Sequence, residues 1–234
     1  MLYILVLTQL LAHIIADFYG QTDQFCEKKE KEVFRSWRLY AHGGVVFLCS
    51  WIFSATLDFW WMALVLGISH ITLDALKSGY KDTPYAFWID QVFHIYIILT
   101  ACYTFFALEA YTPVLLINTQ YLLITIGLLL CIKPANIVIR EIFRHAQIQP
   151  ISQNKNGELP NAGKLIGSFE RLLAFFFVLL GQYEALGFLI AAKSLLRLRD
   201  SETAKSEYVL VGTLISFFIA ILLGVLVNKL ASLI

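Results

Sequence analysis

The fold is decided by the first apolar stretch of the chain, residues 2–18, which reads LYILVLTQLLAHIIADF. A helix of about 20 apolar residues crosses the hydrocarbon core of a bilayer, and this stretch approaches that length. No basic region of the kind that opens a cleaved signal peptide precedes it, and His13 and Asp17 interrupt the apolar run. The stretch therefore predicts a retained transmembrane helix that carries two ionisable side chains.

The composition of the whole chain extends this prediction. Of 234 residues, 59% are hydrophobic and 15% are charged, and the mean hydropathy is +0.70. Soluble domains average about 45–50% apolar and about 25% charged residues. A disordered chain is excluded by the high hydrophobicity, and 4 cysteines are too few for a disulfide-rich secreted module. Because 18 basic and 17 acidic residues nearly cancel, no nucleic-acid partner is expected.

We predict an all-α, polytopic membrane protein with six to seven transmembrane helices, forming a single transmembrane domain over residues 1–234. The predicted helices are 2–18, 40–56, 59–76, 87–107, 113–132, 172–192 and 208–230, with a cytoplasmic loop at 133–170. Lys and Arg concentrate in that loop, in 21–38 and in 77–81, which places these loops inside and the N-terminus outside.

The segment 172–192 fits this orientation less simply. A single crossing would place four basic residues that follow it outside, namely Lys193, Arg197, Arg199 and Lys205. A re-entrant pair of half-helices that turns near Gly181 keeps all four inside. The non-helical backbone of such a turn is tolerated inside the bilayer where other parts of the protein bury it or where it lines a cavity. We favour the re-entrant hairpin, and a single crossing stays open.

Ionisable residues inside membrane helices are costly and usually functional. Seven of them fall at one predicted depth in the first four helices: His13, Asp17, His42, His70, Asp74, Asp90 and His94. Most of them are paired four residues apart and so share a helix face. A short connection joins helices three and four, which we expect to pack as an antiparallel hairpin.

Four imidazoles and three carboxylates exceed what one tetrahedral zinc needs. They suit one or two divalent transition-metal ions (Zn, Mn or Fe), which activate water for hydrolysis. Asp17 is a candidate catalytic base, Lys77 a candidate electrostatic stabiliser, and Gln91 a third catalytic candidate. A lone His or Asp in a membrane helix is more often a structural hydrogen-bond partner. Because four helices agree in the type, spacing and depth of these residues, we favour metal binding over a structural role.

A set of basic residues outside this group has two interpretations. In the first, their long side chains extend to the membrane surface and their charges set the orientation of the helices. In the second, they bind phosphate or lipid headgroups. In the second interpretation a hairpin at 172–192 would bring Glu170 and Lys193 to the same face. The headgroup candidates are Arg38, Lys164, Arg171, Lys193 and Arg197.

Several motifs together resemble a known family. They are His13-x-x-x-Asp17 with Gln21, His42, His70-Ile-Thr-Leu-Asp74-Ala-Leu-Lys77, Asp90-Gln91-x-x-His94, Gly163-Lys164-Leu-Ile-Gly167-x-x-Glu170-Arg171 and Glu207-Tyr208-x-x-x-Gly212. Over essentially the whole chain they resemble the bacterial inner-membrane proteins of the domain of unknown function 3307 family. The resemblance implies a multi-pass protein of the bacterial inner membrane, and our orientation makes its N-terminus periplasmic. The His-x-x-x-Asp pairs also loosely resemble those of membrane metal-dependent hydrolases.

Our leading hypothesis is a membrane-embedded metal-dependent hydrolase acting on a lipid or lipid-linked ester, amide or phosphoester at the cytoplasmic leaflet. A proton- or ion-coupled transporter or channel is an alternative, because buried Asp and His also relay protons. A haem-binding electron carrier and a non-catalytic metal-binding scaffold are further alternatives. The expected partners are the bilayer and a lipid substrate, and a homo-oligomer stays open.

Overall fold

The computed structural model describes residues 1–22, 25, 33–77, 79, 83, 85–109, 111–113, 118–148, 162–197 and 203–233. Within these residues there are eight α-helices and no strand, so the predicted all-α class is confirmed. The helices are α1 (Leu2–Ile14), α2 (Trp37–Phe53), α3 (Trp60–Lys77), α4 (Ala86–Leu108), α5 (Thr119–His145), α6 (Ala162–Leu179), α7 (Tyr183–Arg197) and α8 (Thr203–Leu233).

Five helical segments are long and apolar enough to cross a membrane, which supports a polytopic membrane protein. They are Leu2–Tyr19, Leu57–Lys77, Ala86–Leu108, Thr119–His145 and Glu207–Leu233. The remaining helices α2, α6 and α7 are shorter or more polar. α7 has 15 residues, and at 1.5 Å per residue it is about 22 Å long, less than the roughly 30 Å of hydrocarbon.

The structure differs from the predicted loop at 133–170. Helix α5 continues through residues 133–145, and α6 begins at Ala162. The hydropathy of the chain falls near Lys133, but residues 133–145 still combine apolar residues such as Ile139 and Phe143 with charged ones such as Arg140, and this amphipathic pattern continues the same helix. Residues 149–161 lie outside the described part of the chain.

A break divides the segment predicted at 172–192. Helix α6 ends at Leu179, α7 starts at Tyr183, and the two helices pack against each other. Between them Gly181 has φ +68°, a left-handed conformation that glycine adopts without the steric cost of a Cβ. The predicted turn near Gly181 is therefore confirmed, and a continuous helix over 172–192 is wrong.

The chain, predicted as a single domain, divides into two compact units, Met1–Leu122 and Leu123–Ile234. In the first unit, α1 packs on α2 and α4, and α3 packs on α2 and α4. An apolar core fills one end of this unit, where Leu5, Phe59 and Phe105 are buried. The opposite end contains the His and Asp residues that the sequence predicts to lie at one depth.

Two glycines allow α2 and α3 to approach closely. A Cβ added to Gly67 would lie 3.0 Å from the carbonyl oxygen of Gly43 and 3.2 Å from Cβ of Phe47. Without those Cβ atoms the two backbones meet one turn from His70 and next to His42. The close approach therefore brings these two imidazoles together.

In the second unit, α6 packs against α7 and α8. Its core includes Ala174, Val178 and Phe217, which are almost fully buried. Gly127 of α5 faces the ring of Phe175, since a Cβ there would lie 2.5 Å from its Cζ. The helices of this unit are thus held by apolar packing and by the buried arginine described below.

Candidate metal centre

The seven predicted ligands come together at one end of the first unit. They lie near the C-terminal ends of α1 and α3 and the N-terminal ends of α2 and α4. His13, His42, His70, Asp90 and His94 are at most 7% exposed. Burying so many ionisable groups is unfavourable unless they are paired or bind a cation.

A π-helical turn positions Asp17. After Ile14 the chain continues as a π-helix over Ile15–Tyr19, and the N–H of Gly20 donates to the carbonyl of Ile15 at 2.8 Å. Such turns are rare and are frequently found at functional sites. Asp17 Oδ2 lies 3.8 Å from His13 Nδ1, whereas its Oδ1 faces the histidines of α2 and α3.

Three ligand atoms from three elements form a nearly equilateral triangle. Asp17 Oδ1 lies 2.9 Å from His70 Nε2 and 3.1 Å from His42 Nε2. The two nitrogens are 3.0 Å apart. We call Asp17, His42 and His70 the triangle.

Hydrogen bonds alone do not account for the triangle. Two imidazole nitrogens carry at most two protons, and an ionised carboxylate oxygen carries none, so three short edges cannot all contain a proton. A metal ion accepts the lone pairs of all three atoms at once. Zinc–ligand bonds of about 2.0–2.1 Å put neighbouring tetrahedral ligand atoms about 3.3 Å apart, close to the spacing observed. The triangle therefore fits a divalent transition-metal ion.

Further ligand atoms surround the triangle. His42, His70 and Asp74 offer ligand atoms within 4.8 Å of one another, as do the groups His13–Asp17–His70 and Asp74–Asp90–His94. Asp74 Oδ2 is 3.8 Å from His42 Nε2. Asp74 thus belongs to two of these groups.

Sequence reasoning did not include Gln21 in the site. Its amide Nε2 lies 2.9 Å from His42 Nε2, and the residue is 7% exposed. The available signal was its spacing, because Gln21 stands four residues after Asp17 and continues the stripe of His13. Rotating the amide by 180° would present its oxygen to the same position.

The three predicted catalytic residues lie within or beside this cluster. Asp17 is part of the triangle. Lys77 Nζ donates to Asp90 Oδ2 at 3.1 Å, and Gln91 Nε2 donates to the same oxygen at 3.3 Å. This ion pair also confirms that α3 and α4 form the predicted hairpin with their polar residues adjacent.

The predicted headgroup residues have different surroundings where the structure describes them. Arg38 lies over the ring of Trp37 at 5.3 Å, and Lys164 is exposed on α6. Lys193 donates to Glu170, the contact expected of a hairpin at 172–192. The side chain of Arg197 lies outside the described residues.

Arg171 does not suit headgroup binding because it is only 2% exposed. Its Nε donates to the carbonyl of Cys131 at 2.6 Å, and Nη2 donates to Asn136 Oδ1 at 2.6 Å. Nη1 donates to Ser216 Oγ at 2.9 Å. Arg171 therefore fastens α6 to α5 beside Pro134, where proline removes a helical hydrogen bond, and to α8.

The fold and composition define an all-α polytopic membrane protein whose first unit encloses a histidine–aspartate cluster. The chain belongs to the family described as "Protein of unknown function (DUF3307)", whose model matches residues 5–124. That match covers about half of the chain and contains every residue of the cluster. Searches of curated proteins and of solved structures give no match.

Proposed function

We propose that this protein is a membrane-embedded, metal-dependent hydrolase whose centre is built on the triangle. The observation that carries the proposal is the mutual 2.9–3.1 Å spacing of Asp17 Oδ1, His42 Nε2 and His70 Nε2. A bound divalent ion would lower the pKa of a water molecule and stabilise developing negative charge. Imidazole and carboxylate ligands are suited to Zn, Mn or Fe.

The location of the cluster favours a lipid or lipid-linked ester, amide or phosphoester. The cluster lies at helix ends, where a membrane helix meets the headgroup region, and the loops at that end carry Lys and Arg. The positive-inside rule assigns such loops to the cytoplasm. The substrate bond would therefore be at the cytoplasmic leaflet of the bacterial inner membrane.

Roles for the surrounding side chains follow from their contacts. Lys77 neutralises Asp90, and its side chain is 22% exposed, so it can also approach an anionic group that enters from outside. Asp74, at the edge of the triangle, is the carboxylate we assign to accept a proton from the attacking water. Gln21 orients His42 through its amide.

A structural metal ion is the second candidate. Its support is that the ligands of the triangle come from three different elements, which one ion would fasten together. The transporter hypothesis gains less support, because an apolar core that includes Leu5, Phe59 and Phe105 occupies the other end of the unit.

The test combines metal analysis with a hydrolysis assay. The full-length protein is purified in detergent, its metal content is measured, and hydrolysis is followed with fluorescent ester, amide and phosphoester lipids in mixed micelles. We expect a bound transition metal, activity that a chelator removes and metal restores, and loss of both in His70→Ala.

The control is His145→Ala, which changes the exposed histidine of α5 and should keep metal and activity. A protein that binds metal, loses folding stability with it, and cleaves none of these lipids would favour the structural ion. Absence of bound metal in the wild type would contradict both candidates.

A further inference from the structure

Exposed tyrosine and tryptophan side chains concentrate at the two ends of the first unit. At the end that contains the triangle they include Tyr19, Tyr40 and Trp88, which we call the inner aromatic level. At the opposite end they include Tyr3, Trp60 and Tyr103, the outer aromatic level. Among the described residues of this unit, Tyr96 in the middle of α4 is the exception. Tyr and Trp are enriched where membrane helices meet the headgroups, so the two levels indicate the two headgroup regions.

Contacts between neighbouring helices place the inner aromatic level at one depth. The rings of His13 and His94 are stacked, with centroids 5.4 Å apart. Tyr19 follows His13 by six residues. Trp88 precedes His94 by six residues on α4, which runs in the opposite direction. At 1.5 Å per residue, both aromatic residues therefore lie about 9 Å from the stacked rings, toward the same end of the unit.

The spacing of the two aromatic levels fits one bilayer. Tyr3 and Tyr19 are 16 residues apart on the segment Leu2–Tyr19. Trp88 and Tyr103 are 15 residues apart on α4. The Cα atoms of the two levels are therefore about 22–24 Å apart. Aromatic side chains that extend toward the surfaces add to this spacing at each end, which brings it close to the roughly 30 Å of hydrocarbon.

The triangle lies just inside the inner aromatic level. Asp17 is two residues, or about 3 Å, from Tyr19 on the way into the bilayer. His42 is likewise two residues from Tyr40. The third ligand atom, His70 Nε2, is only 2.9 Å from Asp17 Oδ1. Because the aromatic level marks the headgroup region, the triangle lies at the boundary between headgroups and hydrocarbon.

We infer that the bond cleaved by the proposed hydrolase is an acyl bond of a membrane lipid, a carboxylic ester or amide, and not a phosphoester. The inference rests on the proposed function. In a phospholipid the acyl carbonyls lie where the headgroup joins the hydrocarbon, whereas the phosphate lies farther out. A lipid in its normal bilayer position therefore brings a carbonyl carbon, and not its phosphorus, to the depth of the triangle.

The reaction needs only water as a second reactant. Water adds to the carbonyl carbon, the bond from that carbon to the alcohol oxygen or amide nitrogen breaks, and the leaving atom receives a proton from the water. The products are a fatty acid and an alcohol or amine. The substrate would approach on the α1 side, because the Asp17 side chain is 12% exposed, compared with 2% for His42 and 4% for His70.

The first test uses lipids that differ only in the bond offered. Metal-loaded, full-length protein in mixed micelles is given a diacyl phospholipid, its dialkyl ether analogue with the same headgroup, and an N-acylated lipid. We expect fatty acid from at least one of the two acyl lipids, no product from the ether analogue, and loss of fatty-acid release in His70→Ala. His145→Ala is the control and should keep the activity.

The products distinguish this inference from the proposed function. Release of the headgroup or of phosphate from the ether analogue, at the rate seen with the diacyl lipid, would overturn the acyl assignment and leave a metal-dependent hydrolase standing. Metal-loaded wild type that cleaves none of the three lipids would overturn the acyl assignment and favour the structural ion.

The second test measures depth without activity. Spin labels at Tyr40→Cys and Gly44→Cys, on the exposed face of α2, are compared in proteoliposomes after Cys26→Ser and Cys49→Ala; a Cβ at residue 44 would meet nothing within 4 Å. We expect residue 40 to collide mainly with a water-soluble nickel chelate and residue 44 mainly with oxygen, while both variants keep the bound metal of the wild type. Equal access of the nickel chelate to both residues would place the triangle outside the hydrocarbon boundary and overturn the acyl assignment, whatever the metal content.

Discussion

At the residue scale, one oxygen of Asp17 contacts two imidazole nitrogens at 2.9 and 3.1 Å. Its second oxygen faces His13. Because Asp17 faces three imidazoles, its negative charge is the feature on which binding of a cation most depends.

Asp17→Asn keeps the size of the side chain and removes its charge. We expect zinc affinity to fall at least about 100-fold, because loss of even an outer hydrogen-bond partner commonly costs 10–100-fold. Competition with a chromophoric chelator measures the affinity. The matched control is Asp58→Asn, since Asp58 is exposed on the turn before α3; equal affinities in the two variants would contradict the role of Asp17.

At the element scale, the sequence predicts α1 to α4 to within four residues, because each is an apolar run bounded by polar residues. It also predicts which faces carry His and Asp, since residues four apart share a face. The π-helical turn at Asp17 could not be predicted, as it depends on packing against α2. The burial of Arg171 could not be predicted for the same reason, because it arises from contacts with α5 and α8.

The close approach of α2 and α3 gives a prediction that changes no ligand. Gly67→Ala places a methyl group 3.0 Å from the carbonyl oxygen of Gly43, so the backbones must separate by a few tenths of an ångström. Overpacking costs about 1–3 kcal/mol, and we expect zinc affinity to fall roughly 10-fold as His42 and His70 move apart. Gly44→Ala is the control because its Cβ would meet nothing within 4 Å; identical zinc titrations for both would contradict this account.

The buried arginine of the second unit should affect stability and leave metal binding intact. Arg171→Met leaves the carbonyl of Cys131, Asn136 and Ser216 without their donor. Hydrogen bonds to charged groups contribute about 1.5–3 kcal/mol, so we expect the Tm in detergent to fall by roughly 5–10 °C. Arg140→Met, at an exposed position of α5, should have little effect. An unchanged Tm in Arg171→Met would show that Arg171 does not fasten the helices.

At the scale of the whole molecule, the orientation in the membrane follows from the charges of the loops. We expect the N-terminus and residues 109–112 outside, and residues 20–36 and 78–85 inside with the metal centre. Labelling of single cysteines with a membrane-impermeant reagent in intact cells measures this. Labelling at residue 79 with none at residue 109 would reverse the orientation and move the proposed substrate to the other leaflet.

The all-α class and the membrane location could be predicted because they depend on composition and on the length of apolar runs. The division into two units could not, since both contain similar apolar helices and only packing separates them. The sequence predicts that His and Asp side chains of four helices lie at one depth, because their positions along the helices agree. The sequence does not predict which of their atoms are in contact, because the triangle depends on side-chain conformations set by the close approach of α2 and α3.

The central claim is that the triangle binds a transition-metal ion, and the metal content of the purified protein tests it most directly. Elemental analysis should find at least about one zinc, manganese or iron ion per chain in the wild type and in His145→Ala, and a loss of that ion in His70→Ala. Wild-type protein that is folded in detergent and contains no transition metal, before or after incubation with these ions, would contradict the account.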